Sequence, residues 1–385
     1  MRVVHLATVD TSIRYLLLDQ LRYLAAHGHD VHAICAPGPS VAVVERAGIP
    51  VHPVDLTRRV TPRTDLRALW SIVHVLRSLR PAVVHTHTPK ASLLGQYGAL
   101  LAGVPYRVHT IHGLYVPATA TGAARHAFLT LERLTMRPAH AVLSQSAEDV
   151  TTCERYSLCP HVTPRYLGNG IDVERFVPAG PEDRLGARKA LEIPEGHHVV
   201  GMVGRLVREK GVIEFLDAAR QIGERLPNTT FVVIGERDTA KPDALTEAEV
   251  NAATSDRRIR FLGHRDDLPM VYWAMDLLLH PSYREGFPRV PMEASACGVP
   301  VVATDIRGCR EAVRAGDNGV LVPVRNADAL AEAACRLLTD DRARVALGRS
   351  ARELALKAFD QRSVFAKVAE TYASFSAAGN AAAAA

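Results

Sequence analysis

The sequence predicts an α/β protein built from two doubly wound parallel sheets. Three observations carry the prediction. Short apolar runs of strand type alternate with helical stretches, and the alternation occurs twice. A turn-rich passage, from Leu167-Gly168-Asn169-Gly170-Ile171-Asp172 through Pro178-Ala179-Gly180-Pro181, divides the two sets. A chain of 385 residues with 48% hydrophobic content can also bury two sizeable cores.

Taken in order, the first set has strands at 3–8, 31–36, 51–56, 82–87, 107–111 and 141–144. Helices fall between them at 13–27, stopped by Gly28, then from Asp65, then at 90–101, closed by Gly103, and at 123–136. The second set has strands at 199–203, 230–234, 260–262, 277–280 and 301–303, and a last helix is expected at 361–376. The predicted organisation is a first domain over 1–168, a linker at 169–181, a second domain over 182–358, a terminal helix within 359–377, and a tail at 378–385. That tail, rich in alanine, has nothing to bury and is expected to fray.

The most informative stretch is Glu285-Gly286-Phe287-Pro288-Arg289-Val290-Pro291-Met292-Glu293. It follows a buried strand that ends in Pro281 and Ser282. It runs into a helix whose first turn suits Pro291 and whose stop is Gly298 with Pro300. A loop at the carboxyl end of a parallel strand is where open α/β sheets bind ligands. Gly286 lets the backbone approach a ligand, and the N–H groups between Phe287 and Val290, at a helix N-terminus, favour a diphosphate. Glu285 can accept hydrogen bonds from sugar hydroxyls, and Glu293, one turn beyond Arg289, can take the two hydroxyls of a ribose. Two carboxylates at this spacing in an arbitrary sequence are ordinary solvated charges; the Gly-Phe-Pro turn and the flanking strands point to a site.

This stretch resembles the E-x7-E motif of retaining glycosyltransferases of GT-B architecture, family 4, the glycosyltransferase group 1 enzymes. A second segment agrees: Gly204-Arg205-Leu206-Val207-Arg208-Glu209-Lys210-Gly211 is similar to that family's G-R-L-x-x-x-K-G. The resemblance implies two Rossmann-like domains with a ligand cleft between them, and a last helix that crosses back to the first domain. It implies donor contacts from Arg205, Lys210, Gly286, Phe287, Pro288, Arg289, Val290 and Glu293. A leaving nucleoside diphosphate gains negative charge, which an Arg and a Lys would stabilise.

In the first domain, Val83-Val84-His85-Thr86-His87-Thr88-Pro89-Lys90 resembles the H-x-H-T-x-K segment of bacterial family members that glycosylate polyprenyl-diphosphate-linked sugars. The likeness implies acceptor contacts from His87 and from Lys90, a point charge for a phosphate. His85 and His87 share a strand face, which allows a metal reading, but no third ligand at suitable spacing is evident and no metal is expected. The strand end Ile111-His112-Gly113 resembles the family's catalytic-loop histidine, so His112 is expected to face the transferred sugar, while His109 points to the opposite face. Many members carry a glycine-rich loop after the first strand. This chain has Thr8-Val9-Asp10-Thr11-Ser12-Ile13-Arg14 instead, and the hydroxyls of Thr11 and Ser12 are expected to substitute.

The implied reaction is transfer of a glycosyl group from a nucleotide diphosphate sugar, UDP-linked by expectation, to a lipid-linked glycan or a small acceptor. Retention at the anomeric carbon is expected, with His112 and Glu285 as the catalytic pair. Glu285 serves there as a binder of sugar hydroxyls or, less readily, as a nucleophile. The chain contains no Asp-x-Asp pair, so metal-independent activity with no cofactor is expected. A non-catalytic nucleotide-sugar-binding subunit would have no need of His112 or Glu285. An epimerase of the same architecture should bring further acid/base carboxylates.

Net charge is +5, and acidic residues are sparse in the first 140 residues, where basic ones prevail. The stretch Arg67-Ala68-Leu69-Trp70-Ser71-Ile72-Val73-His74-Val75-Leu76-Arg77 has helical apolar spacing with basic residues to one side. It can cover the sheet, sit on anionic lipid headgroups, or do both. With only 5% aromatics and no interleaving of exposed rings with basic residues, nucleic-acid binding is not expected. Six scattered cysteines without a C-x-x-C point to reduced thiols. No run reaches the ~18 apolar residues of a membrane span, and the first strand is too short for a signal sequence. The expected location is the cytoplasm, with peripheral attachment at the inner face of the cell membrane.

Overall fold

The computed structural model describes residues 1–114, 121–239 and 241–384, with side chains to Phe375. Two compact units divide it: Met1–Gly168 with Ser363–Ala385, and Asn169–Arg362. In the first, seven strands form one sheet: β1 (Arg2–Leu6), β2 (Asp30–Cys35), β3 (Val51–Pro53), β4 (Val83–Thr86), β5 (Tyr106–Ile111), β6 (Ala141–Ser144) and β7 (Arg165–Tyr166). Their spatial order is β3-β2-β1-β4-β5-β6-β7, with every pairing parallel. The second unit has β8 (His198–Val203), β9 (Thr229–Ile234), β10 (Ile259–Gly263), β11 (Leu277–His280), β12 (Val301–Thr304) and β13 (Gly319–Val322), in the order β10-β9-β8-β11-β12-β13, again all parallel.

Both sheets wind outward from an inner pair, β1/β4 and β8/β11, so each has a switch point at which the winding direction reverses. β4, β6, β9, β11 and β12 are buried along their whole length. That burial is why they read as unbroken apolar runs. In the first unit one sheet face packs Val3, Leu21, Val83 and Val108 with Phe365, Val368 and Tyr372 of the last helix, and the other packs Val4, Ile34, Ile72, Leu76 and Val84.

Four helices matter below: α1 (Pro62–Leu79), α2 (Pro89–Leu101), α3 (Arg289–Ala296) and α4 (Gln361–Ala384). In α1 the buried Ala68, Ile72, Val73 and Leu76 form the stripe that covers the sheet. The opposite side leaves Leu66 57% and Trp70 56% exposed beside Arg63 and Arg67. No helix among the described residues is long and apolar enough to cross a membrane.

Some expectations shift. The single helix expected over 13–27 is interrupted: Asp10–Ser12 leads into a π turn at Ile13–Leu17, and the α-helix resumes at Leu18–Ala26. The stretch expected as a linker, 169–181, is packed within the second unit. Ile171 is fully buried and bridges Asp360, Arg352 donates to the carbonyls of Val173 and Phe176, and Trp273 Nε1 donates to the Val177 carbonyl at 2.7 Å. Those buried apolar residues sit among turn formers, which hides them in the sequence. The end expected to fray, 378–385, lies beyond the residues whose side chains are described.

Candidate functional site

In the second unit the loops leaving β8 and β11, the two strands at the switch point, come together. After β8 the chain passes through Arg205 into a 3-10 turn, Arg208–Lys210, ended by Gly211 at φ 72°. A Cβ at Gly211 would lie 2.0 Å from the Pro281 carbonyl oxygen, so only glycine lets this turn reach the loop after β11. The two loops are then stitched together. The Tyr283 N–H donates to the Glu209 carbonyl at 2.8 Å, and Arg284 Nε meets the Glu209 carboxylate at 2.7 Å. At the centre Lys210 Nζ donates to Glu285 Oε1 at 2.5 Å, and His280 Nε2 lies 3.1 Å from the same oxygen.

Burial alone would push the Glu285 carboxyl up. The Lys210 charge and the contacts with His280 outweigh it and hold the group well below the usual carboxylate range. Glu285 is therefore a desolvated, ionised carboxylate at the carboxyl edge of the sheet. Gly308 fixes its backbone from below, since a Cβ there would lie 2.5 Å from the Glu285 carbonyl oxygen.

The chain then enters α3. Pro288 is its N-cap and supplies no side-chain cap, and the helix opens at Arg289 and Val290. Phe287 is buried, and its carbonyl accepts from Asn169 Nδ2 at 2.8 Å. Pro291 falls at the third helical position, still in the first turn. Glu293 is buried one turn on. Tyr272 Oη donates to its Oε2 at 3.1 Å, and Arg289 Nε is 3.6 Å from its Oε1. Burial raises the Glu293 carboxyl; the Arg289 charge and the Tyr272 bond oppose this without reversing it. Arg205 sits at the end of β8, half-exposed, and its Nη1 donates to Asp238 Oδ2 at 2.6 Å. The structure thus brings Lys210 to Glu285 and Arg289 to Glu293, and turns Arg205 toward Asp238.

In the first unit the switch-point strands place His5 of β1 in register beside His85 of β4. His5 Nδ1 lies 2.9 Å from His87 Nε2, and His87 Nδ1 lies 3.1 Å from His112 Nε2. On the other side His85 Nδ1 lies 2.6 Å from Tyr372 Oη and His85 Nε2 lies 2.7 Å from Thr110 Oγ1. Burial pushes these imidazoles down: His5 to about 3, His109 and His112 to about 4, His85 and His87 well below the ordinary value. All are neutral at physiological pH, and His112 is the half-buried member.

His87, expected to meet the acceptor, is 3% exposed, and its two ring nitrogens lie against His5 and His112. Lys90, at the start of α2, is also committed locally. It pairs with Asp65, donates to the Arg59 carbonyl, and donates to Thr57 Oγ1 at 2.7 Å, so an acceptor phosphate there would compete with Asp65. Thr11 and Ser12 are half-buried beside the π turn. The hydroxyl that meets the start of α2 is instead Thr8, 2.7 Å from Thr88 Oγ1. His109 is buried and bonded to Thr86, away from His112.

Residues 183–354 match the family described as Glycosyl transferases group 1, and residues 13–170 match the Glycosyl transferase 4-like domain. The D-inositol 3-phosphate glycosyltransferase of Corynebacterium glutamicum (strain R) is 31% identical over 303 residues, 75% of this chain and 71% of that protein. This chain is a group 1 glycosyltransferase. The UDP-Gal:alpha-D-GlcNAc-diphosphoundecaprenol alpha-1,3-galactosyltransferase of Escherichia coli is 27% identical over 93% of this chain and 92% of its own length. The crystal structure of Anabaena HepE in complex with UDP and glucose superposes with a TM-score of 0.83 at 23% identity, covering 97% of this chain and 100% of that one. The fold is GT-B, as expected.

Sequence reasoning missed several residues that contact the candidate site residues. His280 and Tyr272 hold the two motif glutamates, and His5 and Tyr372 support His112 from a different strand and from the last helix. His280 directly precedes the turn formers Pro281 and Ser282, and a polar residue closing a buried apolar strand was the available signal. His5, His85 and His87 also place ring nitrogens within 4.8 Å of one another, a grouping that the spacing of His85 and His87 alone did not reveal.

Proposed function

We propose that this glycosyltransferase moves a sugar from a UDP-sugar donor, with retention at the anomeric carbon, to a lipid-linked glycan of polysaccharide assembly. The observation that carries the reading is the ionised Glu285 joined to Lys210 and His280 at the switch point, directly before the N-terminus of α3. The donor diphosphate takes the N–H groups at the start of α3 together with Lys210, Arg205 and Arg289, and the ribose takes Glu293. Glu285 exchanges part of its bond to Lys210 for sugar hydroxyls as the diphosphate draws Lys210 toward itself. His112 acts as a neutral hydrogen-bonding partner of the transferred sugar, because burial keeps it uncharged above about pH 5.

UDP-linked donors are supported by the named substrate of the E. coli relative and by the UDP held in the HepE structure. A lipid-linked acceptor is supported by the same relative's undecaprenyl-diphosphate substrate. The exposed Leu66 and Trp70 beside Arg63 and Arg67 on α1 suit peripheral contact with an anionic lipid surface. Basic side chains and a helix terminus can carry the diphosphate charge without a divalent cation, so the reaction is metal-independent. The test is a thermal-shift panel of nucleotide sugars followed by UDP release from the stabilising donor. A selective shift with slow UDP release supports the enzyme. A shift with no release under any acceptor condition supports a binding subunit and refutes the reading.

A further inference from the structure

We propose that His87 is a positioning residue: a hydrogen-bonded chain running Thr110, His85, Tyr372, His5, His87, His112 fixes which ring nitrogen of His112 carries the proton. The proposal deepens, and rests on, the reading of His112 as a sugar-facing group.

The chain is continuous in the first unit. Thr110 Oγ1 is 2.7 Å from His85 Nε2, and His85 Nδ1 is 2.6 Å from Tyr372 Oη. Tyr372 Oη is 3.3 Å from His5 Nε2, His5 Nδ1 is 2.9 Å from His87 Nε2, and His87 Nδ1 is 3.1 Å from His112 Nε2. A neutral imidazole has one donor and one acceptor nitrogen, and a hydroxyl donates once. Each link therefore fixes the next, and the chain has two polarities. In one, Thr110 donates to His85, His85 to Tyr372, Tyr372 to His5, His5 to His87 and His87 to His112, and every histidine carries its proton on Nδ1. In the other, all four carry it on Nε2 and every arrow reverses. At the histidine–histidine links a mixed state would set two donors or two lone pairs against each other, and at Tyr372 a hydroxyl accepting from both rings would leave its own O–H without a bond, in either case at the cost of an unmade bond in a buried site.

His112 is the half-buried end of the chain, and with Nε2 facing His87 its Nδ1 is the nitrogen left for other partners. The polarity of the chain thus decides whether His112 presents a donor or an acceptor at Nδ1 to a sugar hydroxyl. The neighbouring His109 lies off the chain, bonded to Thr86, and His29 meets the Tyr372 ring edge at 5.9 Å between centroids. A cation among His5, His85 and His87 is the competing use of these side chains. Each of the inward nitrogens already has a hydrogen-bond partner, and among the described residues no carboxylate joins the group to offset a buried divalent charge.

The test uses the full chain labelled with 15N-histidine, in which two-bond 15N–1H correlations separate Nδ1-H from Nε2-H rings. The wild type is expected to show His112 as a single tautomer. Tyr372→Phe, which keeps the ring but cuts the chain three links away, and His87→Phe should both give a mixture. His87→Asn should restore the single tautomer, because its amide nitrogen can stand where Nδ1 stood. In parallel, UDP release from UDP-glucose should fall about tenfold in His87→Phe, the scale of one lost hydrogen bond, and recover in His87→Asn. An unchanged His112 tautomer in both phenylalanine variants overturns the proposal, as does a stoichiometric metal in the purified chain. If His112→Ala keeps normal UDP release, the sugar-facing role of His112 fails, and the spectra still report separately whether the chain sets its tautomer.

Discussion

Removing Lys210 should destabilise the second unit through a partner that stays behind. Lys210 and Glu285 are 20% and 11% exposed at the side chain, so solvent screens their attraction little. Truncating Lys210→Ala leaves a desolvated carboxylate with His280 as its remaining polar neighbour, and breaking such a buried pair costs about 3 kcal/mol. For a unit of this size that is a fall in melting temperature of about 6–12 °C. Changing the glutamate too, in Lys210→Ala/Glu285→Gln, removes the orphaned charge, so most of the loss should return although two native side chains are gone. UDP release should not return with it, because the groups assigned to diphosphate and sugar are both absent. The pH dependence has a fixed sign. Glu285 is held below its ordinary value of 4.5, so its contribution is complete above that pH and fades as the pH falls below it. The gap between wild type and Lys210→Ala should therefore narrow below about pH 4.5. Differential scanning calorimetry from pH 3 to 8 measures all of this. Additive losses in the double variant, or a single variant as stable as wild type, would refute the description of Glu285 as a buried, Lys210-dependent charge.

Further outcomes follow from the same geometry. Glu293 is buried with its carboxyl raised, so its charge costs stability at neutral pH. Glu293→Gln should raise the melting temperature while weakening UDP binding in a calorimetric titration; a lower melting temperature with unchanged affinity would count against both roles. Arg205→Ala should slow turnover by about 10²–10³, the scale of one lost transition-state donor, and wild-type turnover on a verified substrate would remove it from the site. Full activity in excess EDTA is expected, whereas collapse with rescue by manganese would replace the helix-and-arginine account of the diphosphate. Changing Leu66 and Trp70 to serine should abolish co-sedimentation with phosphatidylglycerol vesicles without altering thermal stability; undiminished binding would dissociate α1 from the membrane.

Much of the fold was legible because parallel strands covered on both faces leave uninterrupted apolar runs. Leu277-Leu278-Leu279-His280 and Val301-Val302-Ala303-Thr304 are such runs, and both are fully buried. The switch-point loops were legible for a related reason: glycine and proline sit where chain reversal or close approach demands them, as at Gly211 against Pro281. What local pattern does not report is a partner arriving from another strand. The polar end of β4 suggested ligand contacts for His87 and Lys90. The side chains that claim them, His5 from β1 and Asp65 from α1, come from distant sequence through sheet register and helix packing. The same limit hid His280 beneath Glu285 and Tyr272 beneath Glu293. Gly319–Val322 passed unnoticed because a short glycine-led strand at a sheet edge has little apolar length to display.

The central claim is that the loops leaving β8 and β11, with the start of α3, form the nucleotide site. Hydrogen exchange measured by mass spectrometry with and without UDP tests it most directly. Slowed exchange is expected at 204–211 and 282–293, and it should disappear in Lys210→Ala/Glu285→Gln at the same UDP concentration. Slowing confined to other segments, or identical protection in the double variant, would contradict the account.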